Sequence, residues 1–251
     1  MSTQEYLQQL LAGQNLTTAE EDNLKALRVQ VETVVGRLSG NPRFYYAGSY
    51  GKKTIIREHY DLDIVAYWPH DCGYTLKDIY NAVGAELKKV WATVNPKTVS
   101  WEIPFQGGFH IDVVPGRAID STFKDANLYR RDKDSSLKTS IKTHIDTVRN
   151  SGRRDAIRLM KLWKVRKSVR FKTFILELMT IDGCKGQSLT DLEPQLLAAF
   201  RHISDNIDTA RVLDPANTNN VISDDISYAD KLTIKAAAQA ALNAQYWSQV
   251  F

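Results

Sequence analysis

Two short segments carry the acids that could do chemistry. In Tyr60-Asp-Leu-Asp-Ile-Val-Ala66, strand alternation sends Leu62, Ile64 and Ala66 to one face and Asp61, Asp63 and Val65 to the other. Phe109-His-Ile-Asp-Val-Val114 repeats the pattern, with Ile111 and Val113 on one side and His110 and Asp112 on the other. If the two strands are neighbours, three carboxylates converge, and each like-charge pair at about 4 Å costs roughly 4 kcal/mol at an effective dielectric near 20. Such a cluster requires a cation. Oxygen ligands without Cys or several His suit Mg²⁺ or Mn²⁺ rather than zinc. Two such ions could clamp the attacking and leaving oxygens of an in-line phosphoryl displacement. Asp61 and Asp63 alone say little, because charged residues are mostly surface groups. The third acid, and a loop at fixed distance upstream, give them weight.

That loop is Gly48-Ser49, which follows a run of strand formers and ends twelve residues before Asp61. Glycine lets backbone N–H groups approach a phosphate, and the serine hydroxyl adds a donor. The same two residues also dominate ordinary turns. Lys52 and Lys53 follow, placed either to neutralise triphosphate charge or to be solvated. His110 shares a face with Asp112, where contact with substrate or metal-bound water competes with the commoner role of a hydrogen-bonded neighbour. Arg154, Arg158 and Lys161 fall at i, i+4 and i+7 and form one basic stripe, facing either a ligand or solvent.

The elements that must position these groups are readable from periodicity. Residues 18 to 38 open with Thr17 and Thr18 followed by Glu20 and Glu21, a capping-box pattern. Leu24, Leu27, Val31, Val34 and Val35 then give an amphipathic helix. Arg43 to Ala47, Leu62 to Trp68 and Phe109 to Val114 read as strands, Leu76 to Trp91 as a helix, and Lys97 to Pro104 as an additional strand. From about residue 136 the strand pattern gives way to helices at 136–149, 153–168, 172–182, 189–204 and 224–248, with Leu213 to Asn220 as an ordered turn. The expected class is α+β: a small mixed sheet with helices over residues 1–150 and a helical lobe over 151–251, with ligands in a cleft between them.

The chain's 251 residues can bury a sizeable core. It is 43% hydrophobic and 25% charged, with no run of about eighteen apolar residues, so no membrane association is expected. The N-terminus lacks a basic start followed by an apolar run, which predicts a cytoplasmic protein. Cys72 and Cys184 stand apart and give neither a disulfide framework nor a structural zinc site. A formal charge of +4 favours polyanionic ligands without deciding among them.

The stretch Gly48-Ser-Tyr-Gly-Lys-Lys-Thr-Ile-Ile-Arg-Glu-His-Tyr-Asp-Leu-Asp-Ile-Val65 resembles, without a gap, the GSxGKxTxxRxxxDxDxV motif of 2′-5′ oligoadenylate synthetases. These belong to the polymerase-β superfamily, together with cyclic GMP-AMP synthase and the bacterial synthases of cyclic di- and trinucleotides. Ile157 to Trp163, Phe174 to Met179 and Leu213 to Val221 resemble later stretches of the family in the same order, so the likeness spans most of the chain. It implies that Asp61, Asp63 and Asp112 hold two magnesium ions (or manganese), and that Asp112 helps deprotonate the attacking ribose hydroxyl. Gly48 and Ser49 would hold the donor triphosphate, Lys161 would reach its phosphates, and Thr173 would contact phosphate. Phe174 would stack on the donor base, although the family more often carries tyrosine there and Phe174 offers no hydroxyl. The implied substrates are nucleoside triphosphates, ATP and/or GTP, joined into a cyclic or linear oligonucleotide.

Two other functions compete: transfer of nucleotides to an RNA 3′ end or of AMP to a protein, and a nucleotide or nucleic-acid sensor without catalysis. The presence of all three acids and the Gly-Ser loop argues against the sensor. The basic region from Arg149 to Lys172 could serve a nucleic-acid activator or a triphosphate site, and its sparse aromatics favour neither. No Cys/His insertion like the zinc ribbon of the animal cyclic GMP-AMP synthases is present.

Overall fold

A computed structural model describes residues 2–251. In chain order the elements are α1 (Thr3–Gly13), α2 (Thr18–Val35), β1 (Arg43–Tyr46), α3 (Gly48–Lys52), β2 (Leu62–Trp68), α4 (Leu76–Lys88), β3 (Asn95–Pro96), β4 (Trp101–Pro104), β5 (His110–Ala118), β6 (Ala126–Arg130), β7 (Ser135–Thr139), α5 (Ile141–Asn150), α6 (Arg154–Arg166), α7 (Thr173–Gly183), α8 (Leu192–Asn206), β8 (Leu213–Asp214), β9 (Asn217–Val221), α9 (Tyr228–Asn243) and α10 (Trp247–Val250). They form two compact units, residues 16–52 with 60–145 and residues 2–15 with 53–59 and 146–251. The expected division at residue 150 is linear, whereas here the N-terminal helix and a short internal segment join the C-terminal helices.

The first unit is built on a seven-stranded mixed sheet, ordered β1-β2-β5-β4-β3 with β6 and β7 attached through β5. The central pair, β2 and β5, is parallel, and its neighbours are antiparallel. Leu62, Ile64, Ile111 and Val113, the residues assigned by alternation to one face, are all fully buried. Helix α4 packs against this sheet closely enough that a Cβ on Gly84 would lie 2.2 Å from the Trp101 ring. Capping boxes start α2 at Thr17/Glu20 and α4 at Thr75/Asp78, each satisfying helix N–H groups that have no partner within the helix.

The second unit is a helical bundle around Leu159, Met160, Trp163, Leu176, Leu196 and Phe200, with α1 contributing Leu7 and Leu11. Trp163 meets Phe200 edge to face at 5.0 Å.

Several sequence expectations shift. The single strand expected over Lys97–Pro104 is a hairpin, because Asn95 and Pro96 pair with Glu102 and Trp101. The helix expected over 136–149 begins only at Ile141, since Ser135–Thr139 pairs with β6. Leu213–Asn220, expected to be a turn without elements, holds most of the small β8–β9 hairpin. The loop expected at Gly48–Gly51 is the short helix α3.

Candidate active site

In the sheet unit, register brings acids from three strands side by side. Asp63 on β2 is paired with Asp112 on β5, and Asp112 in turn with Glu102 on β4. Paired residues in neighbouring strands project from the same face, so Asp63, Asp112 and Glu102 form a row across the sheet. Asp61 lies two positions before Asp63 and shares its face. His110 links it to the row: Nδ1 is 2.8 Å from Asp61 Oδ1, and Nε2 is 3.6 Å from Asp112 Oδ2. Ligand atoms of Glu102, His110 and Asp112 all lie within 4.8 Å of one another.

The crowding has an electrostatic signature. Burial, reinforced by the charges of Asp112 and Asp61 and opposed by Lys52 and His110, pushes the Asp63 carboxyl up from 3.8 to about 6. One cation already sits in the row. Lys97 Nζ lies 2.7 Å from Glu102 Oε2 and 3.1 Å from Asp112 Oδ2. Burial opposes its charge, yet the hydrogen bond to Glu102 and the charge of Asp112 carry its pKa above the ordinary value. Ser100 Oγ reaches Asp112 Oδ1 at 3.4 Å. The two carboxylates and one imidazole of Glu102, Asp112 and His110 thus lie close enough together to share a hard divalent cation.

Gly48 is required by two independent constraints. Its φ is +48°, and a Cβ there would stand 1.7 Å from Asp63 Oδ2. The turn carrying Ser49 therefore lies directly against one of the acids. Ala47 N donates to Asp63 O at 3.0 Å, and Gly51 N donates to Ala47 O at 2.8 Å, which ties α3 to the start of β2. Lys52, read as either solvated or functional, is buried, whereas Lys53 is exposed.

Lys161, Thr173 and Phe174 all belong to the helical unit. Lys161 is buried on α6 and its Nζ donates to Thr54 O at 2.8 Å, while Thr54 Oγ1 donates to Glu177 Oε1 at 3.0 Å. Thr173 begins α7, and Lys164 Nζ donates to its hydroxyl at 2.8 Å. Phe174, the next residue, is half-buried. Much of the basic region from 149 to 172 is engaged in holding this unit together. Arg153 donates to Ser188 O and Gln187 O, Arg158 to Ile55 O, Leu11 O and Asn15 Oδ1, and Arg166 pairs with Glu58. Arg154 remains exposed.

Of the residues named from the sequence, Asp61, Asp63, Asp112 and Gly48 lie close together in the sheet unit, with Ser49 next to Gly48, and the register adds Glu102 and Lys97, which the sequence reading does not name. The available signal was the acid in Trp101-Glu-Ile-Pro104, whose alternation would have placed Glu102 opposite the apolar Trp101 and Ile103.

The chain shares the fold of solved CD-NTase structures. It is similar to CdnC of E. coli MS115-1, solved with ATP, at 21% identity and a TM-score of 0.74, covering 98% of this chain and 94% of that one. It is also similar to the cyclic AMP-GMP synthase DncV of Vibrio cholerae, at 18% identity and 0.76 over 96% of this chain and 90% of that one. CdnG of Bradyrhizobium diazoefficiens, solved with GTP, matches at 15% identity and 0.75 over 98% and 94%. No protein-family model and no curated protein matches the sequence.

Proposed function

We propose that the chain is a metal-dependent nucleotidyltransferase that joins nucleoside triphosphates, ATP or GTP, into a cyclic or linear oligonucleotide and releases pyrophosphate. The observation that carries this reading is the register of Asp63 against Asp112, with Asp61 and the Gly48 turn beside them, in a fold shared with proteins solved with ATP and GTP. Asp61, Asp63 and Asp112 would hold magnesium or manganese, which supplies charge neutralisation at the phosphates.

The chain's own groups supply the rest. In this reading Asp112 takes the proton of an attacking ribose hydroxyl through Oδ1, the oxygen not engaged by Lys97. As that proton leaves, the ribose oxygen bonds to the α-phosphorus, the bridge to the β-phosphate breaks, and pyrophosphate departs. Alignment and fixed charge are the main demands of such a transfer. In this reading Gly48 and Ser49 present backbone and hydroxyl donors to the triphosphate, Lys161 and Thr173 contact phosphate oxygens, and Phe174 stacks on a base. A nucleic-acid activator is compatible with the exposed members of the basic region, such as Arg154 and Arg170. No helix among the described residues is long and apolar enough to cross a membrane, in keeping with action in the cytoplasm.

The test is direct. Purified protein incubated with Mg²⁺ and all four ribonucleoside triphosphates, with and without double-stranded RNA, is expected to release pyrophosphate and yield short oligonucleotides identifiable by mass spectrometry. EDTA, Asp61→Asn or Asp63→Asn should abolish both. Products that form only when RNA or a protein acceptor is supplied would replace this reading with transfer to a macromolecule, and no metal-dependent turnover under any condition would leave a binding protein.

A further inference from the structure

Lys97 takes no part in the chemistry proposed above, yet its position is fixed by the core. It sits in the turn between β3 and β4, where its N–H donates to Ser100 O at 2.9 Å. The buried Tyr80 hydroxyl donates to Lys97 O at 2.8 Å and lies 3.2 Å from Ser100 O, and the Tyr80 ring packs on Trp101 at 4.9 Å. A backbone held this way aims the side chain, and the ammonium spans Glu102 Oε2 and Asp112 Oδ2. Glu102 is also held from the far side, by Asn95 Nδ2 on Oε1 at 3.0 Å. Glu102 keeps the shorter contact to Lys97, 2.7 Å against 3.1 Å, and Asp112 is the acid of the pair that the proposed function assigns to metal. An ammonium at a carboxylate oxygen fills the electrostatic place of a divalent ion at that oxygen, so the two compete.

We propose that Lys97 is an internal counter-cation that occupies Asp112 Oδ2 until a divalent ion binds and then stays on Glu102, so that it sets how tightly the site takes metal. Lys97 is in this sense a positioning residue for Asp112. The inference rests on the reading of Asp61, Asp63 and Asp112 as metal-holding acids.

The probe is Mn²⁺ alone, without nucleotide, titrated into the full chain and followed by the electron paramagnetic resonance signal of free Mn²⁺. Lys97→Met is expected to bind Mn²⁺ about fivefold more tightly than the unaltered protein, the size of a partly exposed charge pair. The gain should persist in a Glu102→Gln background, where Asp112 is the remaining partner. Lys89→Met removes the same charge at the exposed residue that follows α4 and should leave affinity unchanged. Should Lys97→Met fail to fold, Lys97→Gln serves as the second neutral variant. Unchanged affinity, a gain that vanishes with Glu102→Gln, or an equal gain in Lys89→Met would each overturn the proposal. Loss of binding in Asp63→Asn keeps the metal reading standing in those cases. If the unaltered protein and Asp63→Asn bind equally poorly, the metal reading itself falls, and the role of Lys97 with it.

Discussion

Replacing Gly48 by alanine should separate backbone strain from damage to the acid cluster. Any residue with a Cβ at φ +48° meets the left-handed penalty of about 1–2 kcal/mol. At Gly48 the added carbon would also lie 1.7 Å from Asp63 Oδ2, where ordinary contact is about 3.5 Å, so the carboxylate must retreat by roughly 2 Å. Misplacement of a reacting constellation by about 1 Å can lower rates about 100-fold. Gly73 is the matched control: its φ is +74°, and a Cβ there would meet nothing within 4 Å. Both alanine variants should lose about 1–2 kcal/mol of stability in urea denaturation. Gly48→Ala alone should lose a further increment, together with at least about 100-fold in metal-dependent pyrophosphate release. Equal stability and equal activity in the two variants would refute the argument that Gly48 is required by its contact with Asp63.

Asp63 makes stability depend on pH. Its folded pKa of about 6 exceeds its ordinary 3.8, so the fold favours the neutral acid. Its contribution should be fully present below pH 3.8, be lost as pH rises through about 6, and be level above, a change of about 3 kcal/mol. Asp63→Asn should remove this slope from metal-free denaturation midpoints and be the more stable protein at pH 8; parallel pH curves would contradict the assignment. Because metal ligands bind deprotonated, Mg²⁺ added in weak buffer near pH 6 should release about half a proton per chain, read with a pH electrode, and none from Asp63→Asn. Lys161→Met would strip the donor from the buried Thr54 carbonyl and should cost about 1–3 kcal/mol in a thermal or urea melt, separately from any loss of turnover. Gly84→Ala would drive a carbon into the Trp101 ring at 2.2 Å and should lower stability by about 1–3 kcal/mol, detectable as loss of Trp fluorescence at lower urea.

The parts of this protein legible in its sequence are those governed by local geometry. Period-two alternation put Asp63, and Asp61 just before β2, on one face and Asp112 on the matching face of β5, because side-chain direction along a strand depends only on parity. Apolar spacing gave α2, α4 and the helices of the second half, and Thr17 with Glu20 marked where α2 begins, since capping is settled within one turn. The helix expected from residue 136 overlaps β7, whose strand character comes from pairing with β6.

What only the tertiary structure decided is who stands next to whom. That Asp63 pairs with Asp112 in register, that Glu102 extends the row, and that Lys97 drops into it from a turn pinned by Tyr80 are consequences of pairings between distant segments. Residue type and spacing set which way a side chain points. They do not set which strand lies alongside, because that is fixed by how the whole sheet and its covering helices bury their apolar faces together.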